Sequence, residues 1–413
     1  NYVGGFVGSI FVNTNMSMTA SNVINNGFVS GTSNYVGGFA GHIYKSMNML
    51  AISDFINNGS ITGSGDVGGF AGEIDSNTNM TMTISNTINN GSVIGSGKFV
   101  GGFVGYISSN ENMETINISI INNGFITGSG NVGGLVGSIS GSTNMTISSS
   151  VNNGIVNGSS YVGGIVGQFS GSNNMTLTIS SSINNGNITG NYTVGGFVGY
   201  VGTYFSAMSI SLEIMNSANK GSVSANKNMA CGFVCTTTQN TKLKTTIKNS
   251  INKGSVNANT NGYACGITNI VTEARNVVSM GDVTGPSGSF TFWETTTAAS
   301  LFYGLDGKCS SCGGATLFQH NTTTGFYEVV ETGEHVDDLL NDESVNQHFG
   351  MMWTKELDLV FTVNVSGLWN GTLLAELGTP LNEVGSLSDY FNDEELCVGD
   401  GDNQPRIALK PTH

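Results

Sequence analysis

The feature that most constrains this chain is a repeat. Val-Gly-Gly-Phe-Val-Gly occupies Val3–Gly8, and Val36, Val67, Val100, Val132, Val162 and Val194 open further copies at intervals of 33, 31, 33, 32, 30 and 32 residues. Two degenerate copies follow, Ala230-Cys231-Gly232-Phe233-Val234-Cys235 and Ala264-Cys265-Gly266-Ile267. A period near 32 over two thirds of a chain describes stacked units, each burying its apolar face on its neighbours.

Each unit has three recurring parts. After the glycine-rich part comes Asn-Met with a Ser/Thr-rich run, as in Asn79-Met80-Thr81. Ile-Asn-Asn-Gly follows at Ile24–Gly27, Ile56–Gly59, Ile88–Gly91, Ile121–Gly124 and Ile183–Gly186, and a short segment such as Phe28-Val29-Ser30-Gly31 closes the unit. The apolar spacing is two, not 3.6. Gly4, Phe6, Gly8 and Ile10 share one face, and Ser9 with its equivalents His42, Glu73, Tyr106 and Gln168 shares the other. In the second part Met18, Ala20 and Ile24 alternate with Ser17, Thr19 and Ser21. That alternation is the mark of strands. Asn-Asn-Gly supplies a corner, because both residue types tolerate left-handed backbone. Three short strands and three corners per period describe one coil of a parallel β-solenoid.

Three details are expectations. Val7, Ala40, Ala71, Val104, Val136, Val166 and Val198 point outward if the first strand is regular, and inward if a bulge sits at Gly-Gly. In the fourth coil Ile116, Ile118 and Ile120 fall where other coils are polar, so a one-residue slip is expected there. Asn22, Asp54, Asn86, Ser119, Ser149 and Ser181 read as an inward ladder hydrogen-bonded from coil to coil.

Val-Gly-Gly-Phe-Val-Gly followed by Asn-Asn-Gly-x-Val-x-Gly resembles the GLUG-type repeats of large secreted and surface-attached, adhesin-like proteins of bacteria and protists. The resemblance covers residues 1–285 and implies an extracellular, non-catalytic stalk or adhesive rod. The chain departs from that pattern where glycines become Cys231, Cys235 and Cys265.

Composition agrees with an ordered, acidic chain. Sixty glycines and 10 % charged residues accompany a 38 % apolar fraction held in register, which a disordered tract would not keep. Residues 1–217 carry a net −5, residues 218–285 a net +5 and residues 286–413 a net −15. Phosphate binding needs a broad basic face, so nucleic acid is not expected as a partner. No run of eighteen apolar residues is present, so no membrane span is expected. The sequence opens inside a repeat and is read as a mature or truncated chain.

Candidate special residues are few. Cys231 and Cys265 occupy one column of successive coils, and their Cα separation should fall in the disulfide range, so they are expected to pair. Cys309 and Cys312 are suspected as a second pair, and no metal site or cofactor is expected. Sequons at Asn15, Asn79, Asn144 and Asn174 form one column, and Asn58, Asn90, Asn321, Asn364 and Asn370 are further glycosylation candidates. Within the coils the carboxylates read as scattered, so no acid–base pair for catalysis is expected. Tyr106, Tyr200 and Tyr204 hint at a carbohydrate-binding surface.

The expected architecture is therefore all-β: a parallel β-solenoid of about nine coils over 1–285, with an acidic α+β cap over 286–413 that includes a helix at His335–Phe349. The expected function is that of a non-catalytic extracellular rod, adhesin stalk or filament subunit. Its partners would be copies of itself, head to tail, or surface glycans and proteins. Arg406, Ile407, Ala408 and Leu409 are the candidate strand for docking on the next subunit. The alternatives are a carbohydrate-binding module and a polysaccharide-degrading β-helix.

Overall fold

A computed structural model describes residues 2–11, 16–32, 34–44, 47–76, 81–171, 175–203, 209–236, 243–279, 282–295, 300–304, 309–312, 315–320, 326–331, 353–354, 359–360 and 407–408. Among these, every regular element is a strand. The second coil illustrates the path. Tyr35–Gly37 runs to a sharp corner at Gly38 and Phe39. Ala40–Tyr44 and Met47–Ser53 follow, then a bend at Asp54, then Ile56–Asn57 and Ile61–Gly63. Each segment pairs in parallel, in register, with its counterpart one period on: Val36 with Val67, Ile43 with Ile74, Ile52 with Ile84, Asn57 with Asn89 and Ile61 with Val93. The chain is a parallel β-solenoid. Its seven full motif copies stack as regular coils, and the sheet of closing segments holds nine strands.

The Gly-Gly corner decides which residues face inward. It turns the chain between Gly37 and Ala40, so both Phe39 and Ala40 point into the coil. The column of Ala40, Ala71, Val104, Val136, Val166 and Val198 is fully buried beside Phe70, Phe103, Leu135, Ile165 and Phe197. The inward alternative expected for that column holds. Two separate apolar files result. The larger combines these columns with Ile43, Ile74 and Ile107 and with Ile52, Ile84, Ile147 and Leu177. The smaller joins Val36, Val67 and Val100 to Ile61, Val93 and Ile126. Rings of the Phe column stack from coil to coil, with centroids 5.1 Å apart for Phe39–Phe70 and 4.8 Å for Phe70–Phe103.

Glycine is required at the second position of the pair because an asparagine lies against it. A Cβ at Gly102 would stand 2.1 Å from the Gly134 carbonyl and 2.8 Å from Asn122 Cγ, and the same geometry recurs at Gly69 against Asn89 and Gly134 against Asn152. The two signature motifs of the repeat therefore meet inside each coil.

That asparagine is the first of Asn-Asn-Gly, and it corrects two expectations. Asn57, Asn89, Asn122, Asn152, Asn184, Asn219 and Asn252 are buried, whereas the column before them runs from exposed at Ile24 and Ile121 through half-buried at Ile56 and Ile88 to buried at Ile183 and Ile251. The inward placement of Ile24 is overturned. The corner is also not left-handed at these residues. Instead the Asn57 amide nitrogen donates to the Gly59 carbonyl at 2.8 Å, closing the turn with a side chain. Left-handed backbone lies earlier, at Asn22, Asp54, Asn86, Ser149, Ser181 and Asn216, with φ between 48° and 55°. Short polar side chains bear that conformation best. The residues expected as an inward ladder thus form an outer bend. Ser119 has no left-handed counterpart in the fourth coil, where Val104–Asn122 is one unbroken strand. The expected slip is present there: Ile84 pairs with Ile118 but Thr87 with Ile120, one residue being dropped.

Parallel stacking does not stop at residue 285. Gly288–Thr295 pairs with Tyr263–Val271, Cys309–Cys312 with Gly288–Thr295, and Ala315–His320 with Ser300–Gly304. The ladder carries past the expected boundary at 285/286. Phe326–Glu331 then pairs antiparallel with Ala315–His320. The expected helix at 335–349 lies outside the described residues.

Candidate functional site

Two files of side-chain amides run the length of the regular coils. In the inner file each Asn donates to the next coil: Asn25 to Asn57, Asn57 to Asn89, Asn89 to Asn122, Asn122 to Asn152, Asn152 to Asn184, Asn184 to Asn219 and Asn219 to Asn252, all at 2.7–2.8 Å. The second Asn of each triplet forms an outer file that donates the opposite way: Asn58 to Asn26, Asn90 to Asn58, Asn123 to Asn90, Asn153 to Asn123 and Asn185 to Asn153, each at 2.8 Å. An unsatisfied buried amide costs roughly 1–3 kcal/mol, so the inner file holds only while every coil keeps its neighbour. The sequence displays both asparagines, but their type as turn formers hid the file.

A second constellation interrupts this regularity. On the outer side of the glycine-rich strands, three columns lie side by side. The second coil places Tyr35, His42 and Tyr44 in them, and the third places Asp66, Glu73 and Asp75. The fourth has Phe99, Tyr106 and Ser108. Three carboxylates therefore form one row across a single coil, with aromatic rows on both sides. The reading of the coil carboxylates as scattered is overturned. Their spacing along the chain hides the row, and their shared columns with Tyr35, His42 and Tyr44 reveal it.

The row is largely covered. His42 and Glu73 are each 7 % exposed, and His42 Nε2 lies 3.5 Å from Glu73 Oε2 while making no hydrogen bond. Tyr35 sits over His42 with ring centroids 4.7 Å apart, and its hydroxyl bonds to Glu73. Tyr2 and Tyr44 also pack on the imidazole. Ser108 donates to Asp75 at 3.1 Å. Burial pushes Glu73 up to about 7, opposed by the Tyr35 bond and reinforced by Asp66 and Asp75. Burial likewise raises Asp66 to about 7, although the Phe99 backbone N–H and the Lys98 charge pull it down. Burial lowers His42, with Asp75 opposing, and raises Tyr35.

The remaining candidates are dispersed. Cys231 is bonded to Cys235, four residues on, with Cα atoms 5.5 Å apart, and Cys265 is a buried free thiol. The expected Cys231–Cys265 pairing is corrected. The two do align in the ladder, but Cys231 and Cys235 replace two glycine columns that abut across the corner. A Cβ at Gly195 or Gly199 would already touch backbone. The side chains of Cys309 and Cys312 lie outside the described set.

Of the sequons, Asn144 is exposed at the strand Val136–Ser148, and Asn58 and Asn90 are exposed members of the outer amide file. Asn15, Asn79, Asn174, Asn321, Asn364 and Asn370 lie outside the described residues. Tyr106 stacks on Phe99 and Tyr200 on Tyr161, at 4.5 and 4.3 Å; Tyr204 is outside the described residues. Ile407 and Ala408 pair antiparallel with Tyr327 and Phe326 of the same chain. That segment is thus engaged internally, contrary to its expected docking on another subunit. Arg406 and Leu409 are outside the described residues. Among the described residues no helix is long and apolar enough to cross a membrane. No family model, curated protein or solved structure matches the chain.

Proposed function

We propose that this protein is a non-catalytic, extracellular rod, serving as an adhesin-like stalk or as a subunit of a surface filament. One observation carries the reading: coil-to-coil contact is continuous and in register through both amide files and both apolar files. The seven regular coils, fewer than the nine expected, at about 4.8 Å each make a spacer of roughly 34 Å. The likeness of its motifs to GLUG-type repeats of surface proteins supports the same reading, and the Cys231–Cys235 disulfide suits an oxidising compartment. The carbohydrate-binding alternative is less well supported. Sugar platforms need open ring faces, whereas Tyr106 and Tyr200 spend theirs on Phe99 and Tyr161. Antibody raised against the folded coils should label intact cells that make the protein. Labelling only after permeabilisation would overturn the extracellular assignment.

A further inference from the structure

Among the described residues, the carboxylate row is the one place where the repeat departs from neutrality on a covered surface. Seven regular coils fill the three columns mainly with Tyr, Phe, Ser, Asn, Thr and Gln. Only the third coil fills all three with acids. His42, more than nine-tenths buried, aims an unbonded Nε2 at that row. The groups facing the imidazole are Tyr2, Tyr35 and Tyr44 from the first two coils and Glu73 and Asp75 from the third. Asp66 bears on Glu73 from the same coil, and Lys98 bears on Asp66 from the fourth. Three negative charges so close together repel, and burial removes the water that would screen them. Among the described residues no three His, Cys, Asp or Glu side chains converge to hold a metal ion. Protons are the neutralising cations that fit without rearrangement.

We propose that the junction between the second and third coils is a proton-operated latch, closed while Asp66 and Glu73 hold protons and loosened when both are ionised beside Asp75. In the closed state a proton lies in the His42 Nε2–Glu73 Oε2 gap, and Tyr35 caps the pair. The sign follows from linkage. Asp66 and Glu73 titrate near 7 in the folded protein and near 4 when unfolded. Their stabilising protons are fully present below the unfolded values, and the contribution is lost as pH rises through 7. His42 is lowered, so its contribution is present above its unfolded value and fades as pH falls through its folded one. The latch therefore holds best at mildly acidic pH and loosens on the alkaline side.

Hydrogen–deuterium exchange on the full chain between pH 5.5 and 8, corrected for the intrinsic pH dependence of amide exchange, tests this. Protection in peptides covering Tyr35–Tyr44 and Asp66–Asp75 should fall at least about tenfold across that range. Peptides covering Tyr161–Phe169 in the sixth coil should not change. The Glu73→Gln variant should flatten the response. Equal loss in both regions, or an unchanged slope in Glu73→Gln, overturns the latch. Carbon-detected NMR of the wild-type carboxyls needs no variant: Glu73 and Asp66 should titrate near 7, and values near 4 overturn the proposal.

Discussion

Replacing Asn122 with Ala should be among the most damaging polar substitutions in the protein, and replacing its neighbour Asn123 should be nearly silent. Asn122 is fully buried and holds three bonds. Its nitrogen donates to the Gly124 carbonyl at 3.1 Å and to Asn152 at 2.7 Å, and its oxygen accepts from Asn89 at 2.8 Å. Truncation strands one N–H of Asn89 and the side-chain oxygen of Asn152, both buried where water does not replace the lost amide. At roughly 1–3 kcal/mol for each orphan, the loss is about 2–6 kcal/mol. Asn123 also has two amide partners, Asn90 and Asn153, but it is exposed, so water takes over and the expected loss is under about 0.5 kcal/mol. Urea unfolding followed by circular dichroism measures the contrast. The coils are coupled only to neighbours, so midpoints of the two variants are compared directly and no single global ΔG is fitted. Equal shifts for the two variants, or a shift equivalent to less than 1 kcal/mol for Asn122→Ala, would refute the claim that the inner amide file is a stabilising element.

Three further outcomes are expected. Phe103→Ala should destabilise by about 3–5 kcal/mol, because the ring is fully buried and stacked on Phe70; thermal melts check this. Gly102→Ala should cost about 3 kcal/mol or more, since its Cβ meets the Gly134 carbonyl rather than a yielding side chain, and retained wild-type stability would mean that the corner is looser than described. A tryptic map without reductant should give a 228–242 peptide closed on itself by Cys231–Cys235, with Cys265 alkylated after unfolding. A 228–242 peptide joined to 254–275 would instead establish the inter-coil pairing.

The sequence made the coil legible because period-two alternation and a fixed interval are backbone-level constraints. Phe39, Ile43 and their equivalents in the later coils fall on the core side wherever the strand is regular. What it concealed were places where one short-range choice reverses facing. At Gly-Gly the corner brings two adjacent residues inward, which alternation alone forbids. At Ile-Asn-Asn-Gly the left-handed residue at Asp54 or Asn86 shifts the phase, so the asparagine turns fully in while Ile56 and Ile88 stay only half-buried. Residue type favoured the opposite assignment, since burying isoleucine is the commoner outcome. The carboxylate row was hidden for another reason. Asp66 and Glu73 are seven residues apart in a chain where neighbours in space are about 32 apart, so only column alignment exposes their company.

The opposite polarity of the two amide files explains why the inner asparagine tolerates no exchange while the outer position is freer. In the inner file an amide must accept from the preceding coil, donate to the next, and spend its second hydrogen on the glycine carbonyl two residues on. Only a side chain with one acceptor oxygen and two donor hydrogens at that reach meets all three demands: aspartate lacks the donors, glutamine is a methylene too long for the gap left by Gly102, and serine offers one hydrogen. Where the inner file ends, at Asn252, its nitrogen turns to the Ser279 hydroxyl at 3.5 Å, the longest step of the series. The regular amide geometry fails at the same coil in which the Val-Gly-Gly motif has degenerated to Ala264-Cys265-Gly266. The constraint lies in the second glycine alone: the eighth coil exchanges the first for Cys231 and keeps both Gly232 and Asn252, and in the ninth coil Gly266 still faces the Ser279 side chain that stands in the asparagine column.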